Sequence, residues 1–350
     1  MKKQGKINNK TQLTSEQKAL LEKQQYRIIG SHSAVKVCGW TKNAIGNYGH
    51  CYKQDFYGIR SHQCLQMTTS LYCANRCTFC WRDFKAPTAK KWHVNVDAPE
   101  FIIDNSISSH IKLLQGFKGF KQANKIFLSE MSDVRHVALS LTGEPITYPK
   151  INALLKEFHK RKISTFLVTN AQFPEQMKKI KNITQLYMSL DAPTKELMKK
   201  IDCPLFPDFW NRTIKSLKIL STRNYRTAIR LTLIKGLNME DNQLKDYADL
   251  IKLGNPDFVE VKSYMWVGAS QKNFKISDMP RMEEIKSFTK KLLKLLPEYE
   301  ASAEHIPSRV TLIMKKSLKK KRYIDFNKFF NIVNNNKKLT KDSYSSSKLI

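Results

Sequence analysis

The sequence predicts an α/β fold built on a parallel sheet that closes into a full or partial barrel. Three observations carry this expectation. From Met67 onward short β-branched or aliphatic runs recur, each is followed by turn residues and a helical stretch, and six such strands alternate with helices. Functional loops of such a fold lie at the C-terminal ends of its strands.

In chain order, residues 1 to about 13 are polar and basic and are expected to be loose. Thr14-Ser15-Glu16-Gln17 then offers a capping box, in which the Thr and Gln side chains satisfy backbone amides, for a helix running toward Tyr26. The expected strands cover 65–72, 136–141, 163–169, 185–190, 228–234 and 258–264. Helix 208–220 carries Trp210, Ile214 and Leu217 on one stripe, and helix 243–253 carries Leu244, Tyr247 and Ile251 before Gly254 and Pro256 stop it. A seventh strand over 308–314 leads into Lys315-Lys316-Ser317-Leu318-Lys319-Lys320-Lys321-Arg322, which reads equally as a phosphate-binding edge or a solvated tail. Residues from about 334 to 350 are rich in Asn, Lys and Ser, the composition of disorder. The chain thus divides into an N-terminal extension (1–64), a core barrel (65–314) and a basic, partly disordered C-terminal tail (315–350).

Lys and Arg number 61 against 30 Asp and Glu, a net charge of +31 that implies a polyanionic partner. Nucleic acid leads, because cationic side chains that neutralise phosphates release counterions; a solubilising charge excess is the plainer reading. No apolar run approaches the ~20 residues of a membrane-spanning helix, so no membrane partner is expected. The Met1-Lys2-Lys3 start lacks an apolar signal region, which makes a cytoplasmic location the expectation. In a reducing compartment the seven Cys serve as metal ligands or free thiols better than as disulfides.

Cys73, Cys77 and Cys80 form C-x3-C-x2-C, a spacing that turns three thiolates toward one iron–sulfur cube. A [4Fe-4S] cluster normally takes four Cys, so three leave one iron open to an exogenous ligand. A structural zinc site is the competing reading, but the triplet has no fourth partner nearby. The pattern, with aromatic Phe79 before the last Cys, resembles the signature of radical S-adenosylmethionine (radical SAM) enzymes.

Upstream, Cys38, Cys51 and Cys64 are separated by twelve residues each, in a setting rich in Gly and aromatic residues. Regular spacing favours a second cluster over three unrelated buried thiols. Such a cube would also expose an iron, to which a chelating α-keto acid could bind. Lys53, two residues after Cys51, could pair with a substrate carboxylate or form a Schiff base with a ketone; a phosphate contact or plain solvation is the bland reading. Cys203, beside Pro204, reads as inert.

The two triplets are joined by Gly58-Ile59-Arg60-Ser61-His62-Gln63-Cys64-Leu65-Gln66-Met67 and followed by Cys80-Trp81-Arg82. With Leu141-Thr142-Gly143-Glu144-Pro145, Val168-Thr169-Asn170-Ala171, Met188-Ser189-Leu190-Asp191-Ala192, Pro204-Leu205-Phe206 and Val261-Lys262-Ser263-Tyr264-Met265, they resemble the 4-demethylwyosine synthase family of tRNA wybutosine biosynthesis. The resemblance covers roughly residues 30 to 314.

That resemblance implies a partial (β/α)6 barrel of the radical SAM type with N- and C-terminal extensions, two [4Fe-4S] clusters and S-adenosylmethionine (SAM). It implies condensation of pyruvate carbons with N1-methylguanosine-37 in the anticodon loop of tRNA(Phe), giving the tricyclic 4-demethylwyosine. Eukaryotic members carry a flavodoxin-like domain for which this chain has no room, so it looks like the shorter archaeal form and needs an external electron donor of ferredoxin or flavodoxin type. Residue by residue, Cys73, Cys77 and Cys80 would hold the SAM-binding cluster and Cys38, Cys51 and Cys64 the second. Gly143 and Glu144 match the element that engages the SAM amino group, while Asn170, Ser189 and, more weakly, Asp191 match positions near its ribose and carboxylate. A target base must leave its stack to reach such a pocket, with Trp81, Tyr264 and Trp266 as stacking candidates. A radical SAM tRNA methylthiotransferase and a non-catalytic tRNA-binding iron–sulfur or zinc protein are the rival readings.

Overall fold

The computed structural model describes residues 13–82 and 86–350, so the basic lead expected to be loose lies almost entirely outside the described residues. Helix α1 (Ser15–Lys23) starts as the sequence requires: Gln17 N–H donates to Thr14 Oγ1 and Thr14 N–H to Gln17 Oε1, both at 3.1 Å. A hairpin of β1 (Arg27–Ile29) and β2 (Ser33–Val35) follows, then the short helices α2 (Gly39–Ile45) and α3 (Tyr52–Tyr57).

Six parallel strands form the body: β3 (Cys64–Thr68), β4 (His136–Leu139), β5 (Ser164–Thr169), β6 (Gln185–Ser189), β7 (Arg226–Leu233) and β8 (Phe258–Ser263). The connections hold α4 (Pro99–Leu114) and α5 (Lys125–Glu130), α6 (Ile151–Lys160), α7 (Pro174–Lys179), α8 (Lys195–Asp202) and α9 (Phe209–Leu220), and α10 (Leu244–Gly254). After α11 (Met282–Lys294) the chain adds β9 (Tyr299–His305) and β10 (Val310–Lys315), β10 lying antiparallel to both β8 and β9. The ten-stranded order is β1-β2-β3-β4-β5-β6-β7-β8-β10-β9, an open sheet whose edges are β1 and β9. This is the expected partial barrel. Helix α3 sends Tyr52 and Tyr57 into its interior, where both hydroxyls reach Glu260 on β8 at 2.9 Å.

Each predicted strand exists, with boundaries set by local chemistry. Strand β3 stops at Thr68, four residues early, because Thr68 Oγ1 accepts from Ser70 N–H at 3.1 Å and bends the chain. The strand expected over 308–314 is antiparallel, since β9 returns the chain before it. Of the expected helical stripes, Leu217, Leu244, Tyr247 and Ile251 are buried, while Trp210 and Ile214 pack half-buried against the same core.

The expectation of a disordered end is corrected. Strand β11 (Tyr323–Ile324), α12 (Phe326–Asn334) and β12 (Ser345–Ser346) fold the C-terminal segment onto the barrel. Apolar anchors explain the order: Phe329 and Tyr344 are fully buried, and Leu339 is 7 % exposed. Tyr344 Oη donates to Thr184 O and accepts from Arg226 N–H, each at 2.9 Å. The lysine-rich run is held through its backbone, since the buried Arg226 guanidinium donates to the carbonyls of Lys321, Arg322 and Tyr323 and to Ser345 Oγ. No described helix is long and apolar enough to cross a membrane.

Candidate iron–sulfur and SAM site

The first cysteine loop leaves β3 and is pinned from two sides. Ala89 N–H donates to Cys73 O at 3.0 Å, while Arg76 and Thr78 N–H groups donate to Asp202 O and Ile201 O at the end of α8, at 3.1 and 2.8 Å. Asn75 N–H and Asn170 Nδ2 both reach Cys73 Sγ at 3.4 Å, which brings Asn170 against the cysteine loop. The Arg82 guanidinium lies among the three thiols; burial alone would lower its pKa, but Cys73, Cys80 and Cys77 together raise it. Burial pushes the Cys73 thiol up to about 11 and Cys77 well above its ordinary value. Thiols this buried become thiolates when a metal centre supplies the compensating charge.

Gly143 can only be glycine. Its φ is +68°, and a Cβ there would stand 1.8 Å from Ser70 O. The close approach lets Glu144 N–H donate to Tyr72 O at 2.8 Å and carries the Glu144 carboxyl beside β5. There Oε2 accepts from Asn170 N–H at 3.0 Å, while Oε1 is buried without a partner. Burial pushes the group up to about 7. An orphaned buried carboxylate oxygen beside the cysteine loop fits an incoming ammonium. Ser189 ends β6, half-buried. Asp191 is buried with one oxygen unpartnered and is pushed up to about 6 by burial, against a hydrogen bond from Thr232. It faces Asp202, whose pKa burial and then the Asp191 charge raise, and which hydrogen-bonds Cys77.

The upstream trio also converges. Cys38 immediately precedes α2, Cys51 immediately precedes α3 and Cys64 opens β3, and hydrogen bonds fasten the segment: Cys51 N–H to Ser61 Oγ at 3.0 Å, Thr41 Oγ1 to Ser61 O at 3.0 Å and to Cys64 O at 3.3 Å. Burial and then Cys38 push Cys51 up to about 12, and burial, Cys38 and Cys51 raise Cys64. Among the described residues, neither trio gathers its ligand atoms within the 4.8 Å that suits a single ion. A wider spacing is what a cube demands.

His50, Asp55 and His305 are that tight, but hydrogen bonding accounts for them. His50 Nε2 meets Asp55 Oδ1 at 2.8 Å, and His305 Nδ1 accepts from Ser308 N–H at 3.2 Å while its Nε2 lies 3.9 Å from Asp55 Oδ2.

Lys53 is 8 % exposed, its ammonium nitrogen 4.6 Å from the Tyr187 ring centre and 5.4 Å from that of Phe166. Burial, then the Arg230 charge, lower its pKa, and so favour the neutral, nucleophilic amine. Around it lies a network that the sequence did not reveal. Arg230 donates through Nε to Glu260 Oε2 and through Nη2 to Tyr52 Oη, and Tyr52 Oη in turn donates to Glu260 Oε2, all at 2.9 Å. Because Tyr52 stands between Cys51 and Lys53, this network fixes both.

One of the three stacking candidates is corrected. Tyr264 is 1 % exposed and donates to Ser270 Oγ at 2.7 Å, so no base can reach its face. Trp81 already stacks on Tyr26, with ring centres 6.0 Å apart and Lys36 over both rings. Trp266 is half-buried, with Nε1 donating to Phe274 O at 2.7 Å. Cys203 is half-buried in left-handed backbone at φ 43°, its thiol on Lys200 O.

Comparisons with known proteins agree with this geometry. The radical SAM superfamily profile matches residues 67–248, and the profile for wyosine base formation matches 253–315. The SAM-dependent tRNA 4-demethylwyosine synthase TYW1 of Xenopus laevis is 46% identical over 318 residues, covering 89% of this chain and 43% of that protein. The corresponding synthase of Oryza sativa is 45% identical over 331 residues, 93% of this chain and 50% of its own length. The chain spans about half the length of the curated relatives it matches. A solved structure of TYW1 with a lysine–pyruvate adduct bound superposes with a TM-score of 0.78 at 33% identity, covering 90% of this chain and 99% of that one. Archaeal TYW1 superposes at 0.70 with 31% identity, over 87% and 97%. The chain therefore belongs to the radical SAM superfamily and, within it, to the TYW1 family of tRNA 4-demethylwyosine synthases.

Proposed function

We propose that this protein is a SAM-dependent tRNA 4-demethylwyosine synthase that joins pyruvate carbons to N1-methylguanosine-37 of tRNA(Phe). The observation that carries the reading is Lys53, a buried amine with depressed basicity placed beside a second cysteine trio. It has the chemistry that a lysine–pyruvate adduct requires, the adduct seen in the solved TYW1 structure.

In this reading Cys73, Cys77 and Cys80 hold a [4Fe-4S] cluster that binds SAM, and Cys38, Cys51 and Cys64 hold a second. The clusters and SAM, when bound, supply one-electron cleavage of the sulfonium and hydrogen abstraction from the N1-methyl group. The chain's own residues do the rest. Glu144 takes the SAM ammonium with its unpartnered oxygen, and Asn170, Ser189 and Asp191 line the strand ends where ribose and carboxylate would lie. Lys53 attacks the pyruvate carbonyl, losing water to form an imine that fixes the two-carbon donor near the target base. The positive surface draws in the anticodon loop, and the target base swings out of its stack into the barrel mouth. An external ferredoxin- or flavodoxin-type donor provides the electron, in the cytoplasm.

Anaerobic reconstitution tests the reading. About eight irons per chain are expected from two cubes. Product formation on N1-methylguanosine-containing tRNA should depend on added pyruvate and vanish in Lys53→Arg. Product that forms without pyruvate would exclude the assignment.

A further inference from the structure

Lys262 is a second lysine in the chamber of Lys53, and the mechanism above leaves it unused. It sits on β8 two residues beyond Glu260, on the same face, and is register partner to Thr232 as Glu260 is to Arg230. Arg230 and Lys53 share the Tyr187 ring, at 5.1 and 4.6 Å, so the Arg230–Glu260 pair ties the two lysines to one lumen. Cys51 acts on the charge of both.

The partners of Lys262 are the informative part. Its Nζ donates to Ser308 O at 3.0 Å and to Ser263 O at 3.5 Å. Both are neutral carbonyls. Among the described residues no carboxylate lies within ion-pair distance of it, and Glu260 cannot serve, since Tyr52, Tyr57 and Arg230 occupy its oxygens. Of the other cations nearby, Arg230 is committed to Glu260 and Tyr52, and Arg309 donates to Pro280 O at 3.1 Å. An ammonium has three protons to give, so one remains for an anion. Burial, then Arg230, pull its pKa down to about 8, and the opposing pull of Glu260 and Cys51 does not offset them.

We propose that Lys262 is the counter-ion of the substrate carboxylate, so that a small 2-oxo acid is held at two points, its carbonyl carbon at Lys53 and its carboxylate at Lys262. The proposal rests on the pyruvate reading above. Two-point capture explains why the chamber holds two lysines of different service. One offers its nitrogen to the carbonyl carbon, and the other offers a hydrogen-bond donor to the carboxylate.

Reductive trapping separates the two claims. Wild-type protein is incubated with pyruvate and cyanoborohydride, and the Lys53 peptide is followed by mass spectrometry against pyruvate concentration. Labelling of Lys53 in the wild type supports the pyruvate reading, and its absence would sink that reading whatever Lys262 does. With wild type labelled, Lys262→Met is expected to raise the half-saturating pyruvate concentration roughly 10- to 100-fold, the loss of one charge-assisted hydrogen bond, while labelling at saturation survives. Lys262→Arg should recover part of the affinity. Independently of any variant, the wild type should require a far higher concentration of neutral pyruvamide than of pyruvate, and Lys262→Met should respond to the two alike. Equal half-saturation for pyruvate and pyruvamide in the wild type would overturn the inference. So would a Lys262→Met curve that matches the wild type, loss of labelling at every concentration, or an effect confined to the KM for tRNA.

Discussion

Replacing Glu144 by Gln tests the SAM pocket through its proton. The carboxyl is 1 % exposed, with one oxygen on the Asn170 amide and the other unpartnered. Burial moves its pKa from 4.5 to about 7. The sign follows: below about 7 the SAM-free protein holds a proton there, and an incoming ammonium must displace it. SAM affinity should therefore weaken roughly tenfold for each pH unit below that value, the linkage of a ligand that binds one protonation state. The same shift, at about 1.36 kcal/mol per unit, makes ionising the buried carboxyl cost roughly 3 kcal/mol. Its contribution to the stability of the SAM-free protein is complete below about 4.5 and is lost as pH rises through about 7.

Glu144→Gln removes both dependences. Affinity should fall roughly 10- to 100-fold at alkaline pH and stay flat across the acid range, for want of one charged hydrogen bond. The SAM-free variant should melt higher than the wild type at about pH 8 and no higher at about pH 5. Equilibrium dialysis of labelled SAM against anaerobic, cluster-loaded, unreduced protein reads the first effect and differential scanning calorimetry the second. A wild-type affinity that ignores pH between these limits, or a variant that keeps the wild-type slope, would refute the pocket.

Cys51→Ala should lose about half of the iron and all product, yet still cleave SAM at the remaining cube, as iron analysis and assay of 5′-deoxyadenosine would show. Gly143→Ala, which puts a Cβ 1.8 Å from Ser70 O at φ +68°, should lose SAM binding and melt lower, by about 1–3 kcal/mol from the backbone conformation alone. Arg226→Met strands the acceptors of the C-terminal segment and should cost on the order of 3 kcal/mol in urea unfolding, with hydrogen exchange rising first in residues 321–346.

What was legible in the sequence was local or periodic. The α1 capping box needs residues three apart, the first cysteine loop spans eight, and the parallel strands are apolar because both faces are covered. The lumen was not legible. In Val259-Glu260-Val261-Lys262, alternation reads as a strand with one wet face, but here the polar face points into the barrel, where Glu260 is fully buried. Its partners Tyr52 and Tyr57 lie 208 and 203 residues away, so no window could join them. Arg82 and Asp202 were missed similarly, because each gains meaning only against thiols or carboxyls brought by the fold. The C-terminal segment misled for a different reason: its anchors Leu339 and Tyr344 are too sparse among Asn, Lys and Ser to form a period.

The guanidinium of Arg226 waits for partners that lie 95 to 119 residues further along the chain. During synthesis the six parallel strands can emerge and pair while that cation still stands in water beneath them. Sealing the barrel floor is thus deferred until a segment far downstream arrives, which makes it a late and slow event of high contact order.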